Sequence, residues 1–353
     1  MNSGGVNVSL IYSKNPPNWK LLSYAFVTYP YYAKKYPDFG SGYFKESIPV
    51  NQVTIEHFSK IWIGNYFSNL IDSKEKSKLY LLTQQSFKWK ETNILFVGGA
   101  PTLENEIEEI REKRENFFLL SSDTSSNFLL YNKVIPDAIL SVDSGRGTSY
   151  HFRENFPDHI PIITWLGANK EIFRKSNPIY LIFTSHPLDQ VMASLLSLST
   201  ISNPGLNIAT LALSIASEFD IKDFGVSGVS FQSLNGKTHC RGTGYESYYS
   251  QLLNRKVTLE NYSPGYYRTN ISIKNQHTLN VLINSKYGLK TIHEFGNHKV
   301  IQKELGNAKK NNLPISQFFA SIVKKDILGE MIKVIGTTKH EFMRYIKYYY
   351  KNI

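Results

Sequence analysis

Residues 93–102 read Asn-Ile-Leu-Phe-Val-Gly-Gly-Ala-Pro-Thr, and this stretch decides the fold. Four apolar residues in a row, stopped by a glycine pair, form the pattern of a short buried strand. Gly98 and Gly99 permit a tight turn, Pro101 suits the first turn of a helix, and Thr102 is of the type that caps one. A helix is expected over 103–113. Working outward, strands are expected at 117–121, 138–142, 161–165, 179–184 and 223–227, with helices at 125–131 and 206–219. Strand and helix alternating through short connections specify an α/β fold, a mostly parallel sheet with helices on both faces.

The flanks differ from this core. Residues 1–90 read as an aromatic-rich N-terminal extension whose clearest element is a helical stripe over 57–71: Phe58, Ile61, Trp62, Tyr66, Leu70 and Ile71. Asn65 and Asn69 lie among them and are expected at the surface. The nucleotide-binding core is expected over 91–290, loop-rich from 235 to about 277. A basic helical region is expected over 291–353, with helices at 316–335 and 340–350.

Composition narrows the class. Of 353 residues, 41% are hydrophobic and 20% charged, which excludes a disordered chain. Forty basic residues against 29 acidic ones give +11, a surface that attracts acidic partners. Cys240 is the single cysteine, so there is no internal disulfide, and no Cys/His spacing fits a structural zinc site. The start shows no secretion signal, and 190–217 is broken by Asn203-Pro204-Gly205, reading as two buried helices rather than a span. The expected location is cytoplasmic, with peripheral contact to an anionic membrane through the basic C-terminal helix as a further expectation. No nucleic-acid partner is expected.

In an open α/β sheet, ligands bind outside the carboxyl ends of the strands. The turn Gly98, Gly99, Pro101, Thr102 stands at one such end, where helix N–H groups and dipole favour a phosphate. It carries neither the Gly-x-Gly-x-x-Gly pattern nor a Walker lysine, so alone it reads first as a plain strand-to-helix turn. Asp123 and Asp143 follow the next two strands and share that rim. Such a pair can bind ribose hydroxyls, hold Mg²⁺ on phosphates, or act as acid and base. His186 and His239 are candidates for proton transfer near neutral pH. Lys237 and Arg241, with Arg255, are candidates for phosphate charge or a substrate carboxylate. Cys240 reads as an inert thiol, without an oxyanion-hole pattern beside it.

These motifs in series resemble one family, that of the motility-associated-factor glycosyltransferases and the MptE-like 6-hydroxymethylpterin diphosphokinases. The resemblance runs from the turn at 97–103 through Ser122-Asp123, Ile135-Pro136-Asp137 and Ser141-Val142-Asp143. It continues at 207–216, at 225–231, at Gly236-Lys237-Thr238-His239 with 242–246, and at 284–288. It implies a Rossmann-like core similar to that of bacterial CMP-sialic-acid sialyltransferases. It further implies transfer of a nonulosonic sugar from a CMP donor to a protein or glycan hydroxyl, flagellin among the acceptors, with no cofactor or metal required. By that likeness Gly98, Gly99, Pro101 and Thr102 would meet the phosphate, Asp123 and Asp143 would lie near the nucleotide, and His239 or His186 would take the proton. The related diphosphokinases imply the alternative, Asp123 and Asp143 holding Mg²⁺ on ATP. One departure stands out: Gly228 is followed by Val229 and Ser230, where the family commonly has an acid. That departure would also fit a nucleotide-binding or flagellar-assembly protein without catalysis.

Overall fold

The structure, a computed structural model, describes residues 93–152, 156–184, 207–219, 223–231 and 237–256, with positions within 58–73, 78–82, 189, 201, 221, 234, 277, 279 and 291–294. The expected C-terminal helices, His186 and most of the N-terminal extension lie outside these residues.

Among the described residues, eight strands form one sheet: β1 (Leu79–Leu81), β2 (Asn93–Val97), β3 (Phe118–Ser122), β4 (Ala138–Leu140), β5 (Ile162–Thr164), β6 (Ile179–Leu181), β7 (Asp223–Ser227) and β8 (Thr291–Glu294). Their order is β1-β6-β5-β4-β3-β2-β7-β8, and every pairing is parallel. The α/β, Rossmann-like fold read from the sequence is the one present. Helices with fully described bounds are α1 (Leu103–Glu112), α2 (Asp123–Tyr131), α3 (Lys170–Arg174), α4 (Ile208–Glu218) and α5 (Gly244–Ser250), with 3-10 turns at Arg114–Asn116 and Arg146–Phe152. No helix among the described residues is long and apolar enough to cross a membrane.

Strands of a parallel sheet are covered on both faces and therefore read as unbroken apolar runs. β2 shows the period-2 split directly: Ile94 and Phe96 join the larger core cluster, while Leu95 and Val97 pack on the other face with Leu103, Ile107 and Ile110 of α1. Ser122 caps α2, its Oγ accepting from the Ser125 N–H at 3.2 Å, and Asn207 caps α4 through the Thr210 N–H at 3.0 Å. The Asp137 carboxylate accepts from Arg114 and from the Leu119 N–H, both at 2.8 Å. The Pro136-Asp137 motif thus anchors the approach to β4.

The sheet extends past both expected boundaries. β1 lies before residue 91 and pairs with β6, and β8 lies in the region expected to be helical. The stripe at 58–72 is helical where described and packs on the sheet: Tyr66 and Leu70 are in the main core and Trp62 meets Trp165 edge-on. Asn69, expected at the surface, is fully buried, and its amide donates to the Leu166 and Ala168 carbonyls at 2.8 and 2.9 Å. Those carbonyls turn inward after β5 and need a donor, which is why a polar side chain sits in an apolar stripe. α5 replaces part of the loop expected after 235.

Candidate functional site

The chain winds from β2 through β3, β4, β5 and β6 in one direction and then returns to place β7 on the other side of β2. The switch point where an open α/β sheet takes its ligands is therefore at the carboxyl ends of β2 and β7. There the glycine turn is packed against the end of β7: the Gly98 N–H donates to the Ser227 carbonyl and the Ala100 N–H to the Gly228 carbonyl, each at 2.8 Å. A Cβ on Gly98 would stand 2.6 Å from the Gly228 carbonyl oxygen, and one on Gly99 2.6 Å from the Thr124 methyl. Backbone packing requires glycine at 98, and the Thr124 side chain presses on the backbone at 99.

Thr102 occupies the N-cap of α1, but its side chain makes no capping bond. The expected cap is replaced by tight turns, in which the Leu103, Glu104 and Asn105 amides donate to the Ala100, Pro101 and Thr102 carbonyls at 3.1, 3.2 and 3.0 Å. Only the amides of Gly99 and Thr102 are left in this turn without an acceptor among the described residues. Two acids in the first turn of α1 already complement its dipole. Glu104 takes Lys237 in an ion pair of 2.6 Å and accepts the Arg241 N–H at 3.0 Å. Lys237, expected as a phosphate cation, is thus paired, and Arg241 remains exposed at the rim.

Glu106 of α1 places a carboxylate at the end of β7. Its carboxylate accepts from the Gly228 N–H at 3.0 Å and from the Ser227 hydroxyl, while its other oxygen is buried without a hydrogen-bond partner among the described residues. Burial pushes this carboxyl above the ordinary range, against the lowering effect of those hydrogen bonds. The signal in the sequence was its position: Glu106 shares the helical face of Leu103, Ile107 and Ile110.

The two rim aspartates differ in environment. Asp123, at the start of α2, is 4% exposed and accepts from the Ser141 hydroxyl at 2.6 Å and the Thr124 N–H at 2.7 Å. Burial raises its pKa, opposed by those bonds. Both its oxygens are engaged by the protein. Asp143 is exposed, with Oδ1 accepting from the Gly145 N–H at 3.0 Å. The Asn169 amide N–H holds the Gly145 carbonyl at 2.7 Å, which fixes this loop against α3. The protein around Asp143 raises its pKa, the Asp123 charge adds to this and the Gly145 N–H opposes it. Solvent at the exposed rim screens that shift.

Two imidazoles complete the cluster. Cys240 donates its N–H to the Gly99 carbonyl at 2.9 Å, so His239 sits one residue from the glycine turn. The Cys240 thiol is buried, which pushes it to about 12. The His239 ring lies tilted against Tyr245 at 4.8 Å, and His151 meets the same Tyr245 ring edge-on at 4.7 Å. His151 in turn feels the Asp143 charge, and Asp143 that of Asp123. Burial lowers both histidines to about 4, with the Asp143 charge opposing it at His151 and His151 adding to it at His239. Both rings are neutral at pH 7. His239 Nδ1 is 2.9 Å from the Thr238 hydroxyl. When that nitrogen carries the proton and donates, Nε2 is left with the lone pair that can accept one. The structure thus brings the turn, Asp123, Asp143, His239 and Arg241 to one rim. His151, Tyr245 and Glu106 were not foreseen.

Among the described residues, no three His, Cys, Asp or Glu side chains form a group able to hold a metal ion. Residues 64–236 match the family described as 6-hydroxymethylpterin diphosphokinase MptE-like. No curated protein matches the chain. Among solved structures, a MAf glycosyltransferase from Magnetospirillum magneticum AMB-1 aligns with a TM-score of 0.43 at 15% identity, covering 55% of this chain and 32% of that one. The chain therefore spans about a third of that relative's length. The family match takes in β1 to β7, the glycine turn and both rim aspartates, and it ends three residues before His239. Through residues 64–236, just under half of its length, the chain is similar to the MptE-like family.

Proposed function

We propose that this chain is a glycosyltransferase that moves a nonulosonic, sialic-acid-like sugar from a CMP donor to a protein or glycan hydroxyl, flagellin being one such acceptor. One observation carries the reading. A neutral, oriented imidazole, His239, is tied through Cys240 to the glycine turn and through Tyr245 and His151 to an exposed carboxylate, Asp143. In the reaction the acceptor hydroxyl gives its proton to His239 Nε2 as its oxygen bonds to the sugar, and the bond from sugar to phosphate oxygen breaks. The departing CMP phosphate gains charge, which the Gly99 and Thr102 amides and Arg241 are placed to stabilise. His186, outside the described residues, stays a second candidate base. On this reading the protein needs no cofactor and works at the cytoplasmic side, in contact with an anionic membrane surface when its basic tail is engaged.

The family's description favours a second reading, diphosphoryl transfer from Mg·ATP. Mg²⁺ uses one or two carboxylates with substrate phosphates. Both Asp123 oxygens already accept hydrogen bonds from the protein, which leaves Asp143 the more open of the two aspartates to the ion. A thermal-shift panel of CMP, CMP-sugar, UDP-sugar and Mg·ATP separates the readings, because a ligand of the native state raises Tm. Stabilisation by CMP compounds with and without chelator is expected. Stabilisation by Mg·ATP alone, abolished by chelator, would overturn the transferase reading.

A further inference from the structure

Helix α5 begins with an unusual arrangement. Its N-cap residue, Thr243, makes no side-chain capping bond, and its hydroxyl is buried without a partner among the described residues. The first amide of the helix, that of Gly244, instead donates to Nδ1 of His151 at 3.1 Å, across 93 positions of sequence. A free amide at a helix start needs an acceptor, and here a distant imidazole supplies it. The contact is close: a Cβ on Gly244 would stand 2.4–2.6 Å from the backbone of Tyr150 and His151. Gly147 lies close to the Tyr245 side chain, its Cβ position 3.1 Å from the ring.

We infer that His151 is a positioning residue: by capping α5 from outside and bracing Tyr245 edge-on, it holds the His239 ring on the Asp143 rim. The capping bond requires a neutral ring with Nδ1 unprotonated, so the proton sits on Nε2, which is buried and unpartnered among the described residues. Phenylalanine would fill the same space and keep the edge contact without burying an unsatisfied N–H. What histidine adds over phenylalanine is the acceptor. Asparagine, whose Oδ1 takes the place of Nδ1, is the conservative substitute.

The inference deepens the transferase reading and rests on it for the kinetic arm of its test alone. His151→Phe is expected to lower kcat about 10- to 100-fold, with KM for the CMP donor unchanged, since misplacing a reacting group costs rate without loosening the donor. His151→Asn is expected to restore most of kcat. Two measurements stand apart from activity. Hydrogen exchange at the Gly244 amide is expected to speed up about tenfold or more in His151→Phe and to stay slow in His151→Asn. The His239 ring resonance, shifted by the Tyr245 ring current, is expected to move in His151→Phe alone. Should His151→Phe not fold, fast exchange at Gly244 in His151→Asn overturns the inference, as does unchanged exchange and an unmoved His239 resonance in a folded His151→Phe. If no donor supports transfer by the wild type, the transferase reading fails while the exchange and resonance results still decide the role of His151.

Discussion

Gly228 and Gly242 share a left-handed backbone, with φ of +62° and +73°, and they differ in what surrounds them. A left-handed conformation costs an L-residue about 1–2 kcal/mol, so Gly228→Ala and Gly242→Ala both carry that term. A Cβ on Gly242 would meet nothing within 4 Å, whereas one on Gly228 would stand 2.4 Å from the Gly98 carbonyl oxygen and 3.1 Å from the Leu103 Cβ. Backbone cannot swing aside like the tip of a side chain, and overpacking of this kind adds about 1–3 kcal/mol. Gly242→Ala should therefore cost about 1–2 kcal/mol and Gly228→Ala about 2–5 kcal/mol. At about 2–4 °C per kcal/mol for a domain of this size, Gly228→Ala should melt about 2–12 °C below Gly242→Ala. Thermal unfolding followed by circular dichroism at matched protein concentration reads the difference. Equal melting temperatures would refute the close packing of the glycine turn on the end of β7, and with it the geometry of the switch point.

Other outcomes follow from the same structure. Thr238→Val removes the group that orients His239, so kcat should fall while the CMP donor KM is kept, and steady-state kinetics check it. Because His239 is lowered to about 4, the acid limb of the rate profile should lie near that pH rather than near 6.5, activity rising as pH climbs through it. Asp189 is buried with Thr184 and Tyr66, and burial raises it from 3.8 to about 7. Its folded pKa exceeds its unfolded one, so its contribution to stability is complete below 3.8 and is lost as pH rises to 7. The loss is about 4 kcal/mol at most, and Asp189→Asn should flatten the fall in Tm between pH 5 and 8. Cys240, buried and raised to about 12, should resist alkylation in the native protein and react on unfolding.

The legible part of the fold is the part buried on both faces. β2 and β7 have the bounds expected for them; in β2 an apolar run ended by a glycine pair has few other fates. β1 hid inside three residues of an aromatic region, because nothing local marks an edge strand that is completed by β6. α5, Gly-Tyr-Glu-Ser-Tyr-Tyr-Ser, carries no apolar stripe; it is held by rings and by a cap from residue 151, and long-range support leaves no local pattern. At the site, Asp123 and Asp143 were legible because carboxylates at strand ends reach a common rim in any parallel sheet. Lys237 read as a free cation because its partner, Glu104, is 133 positions away. His151 was silent for the same reason, its partner Gly244 lying 93 positions away.

The convergence of the glycine turn, Asp143 and the two imidazoles around one ligand is tested most directly by histidine-selective NMR during a CMP titration. His239 and His151 resonances should move together, saturating at one dissociation constant, and the movement should vanish in Asp143→Ala with the fold intact. CMP binding that leaves both histidines unmoved, or movement produced by Mg·ATP alone, would contradict it.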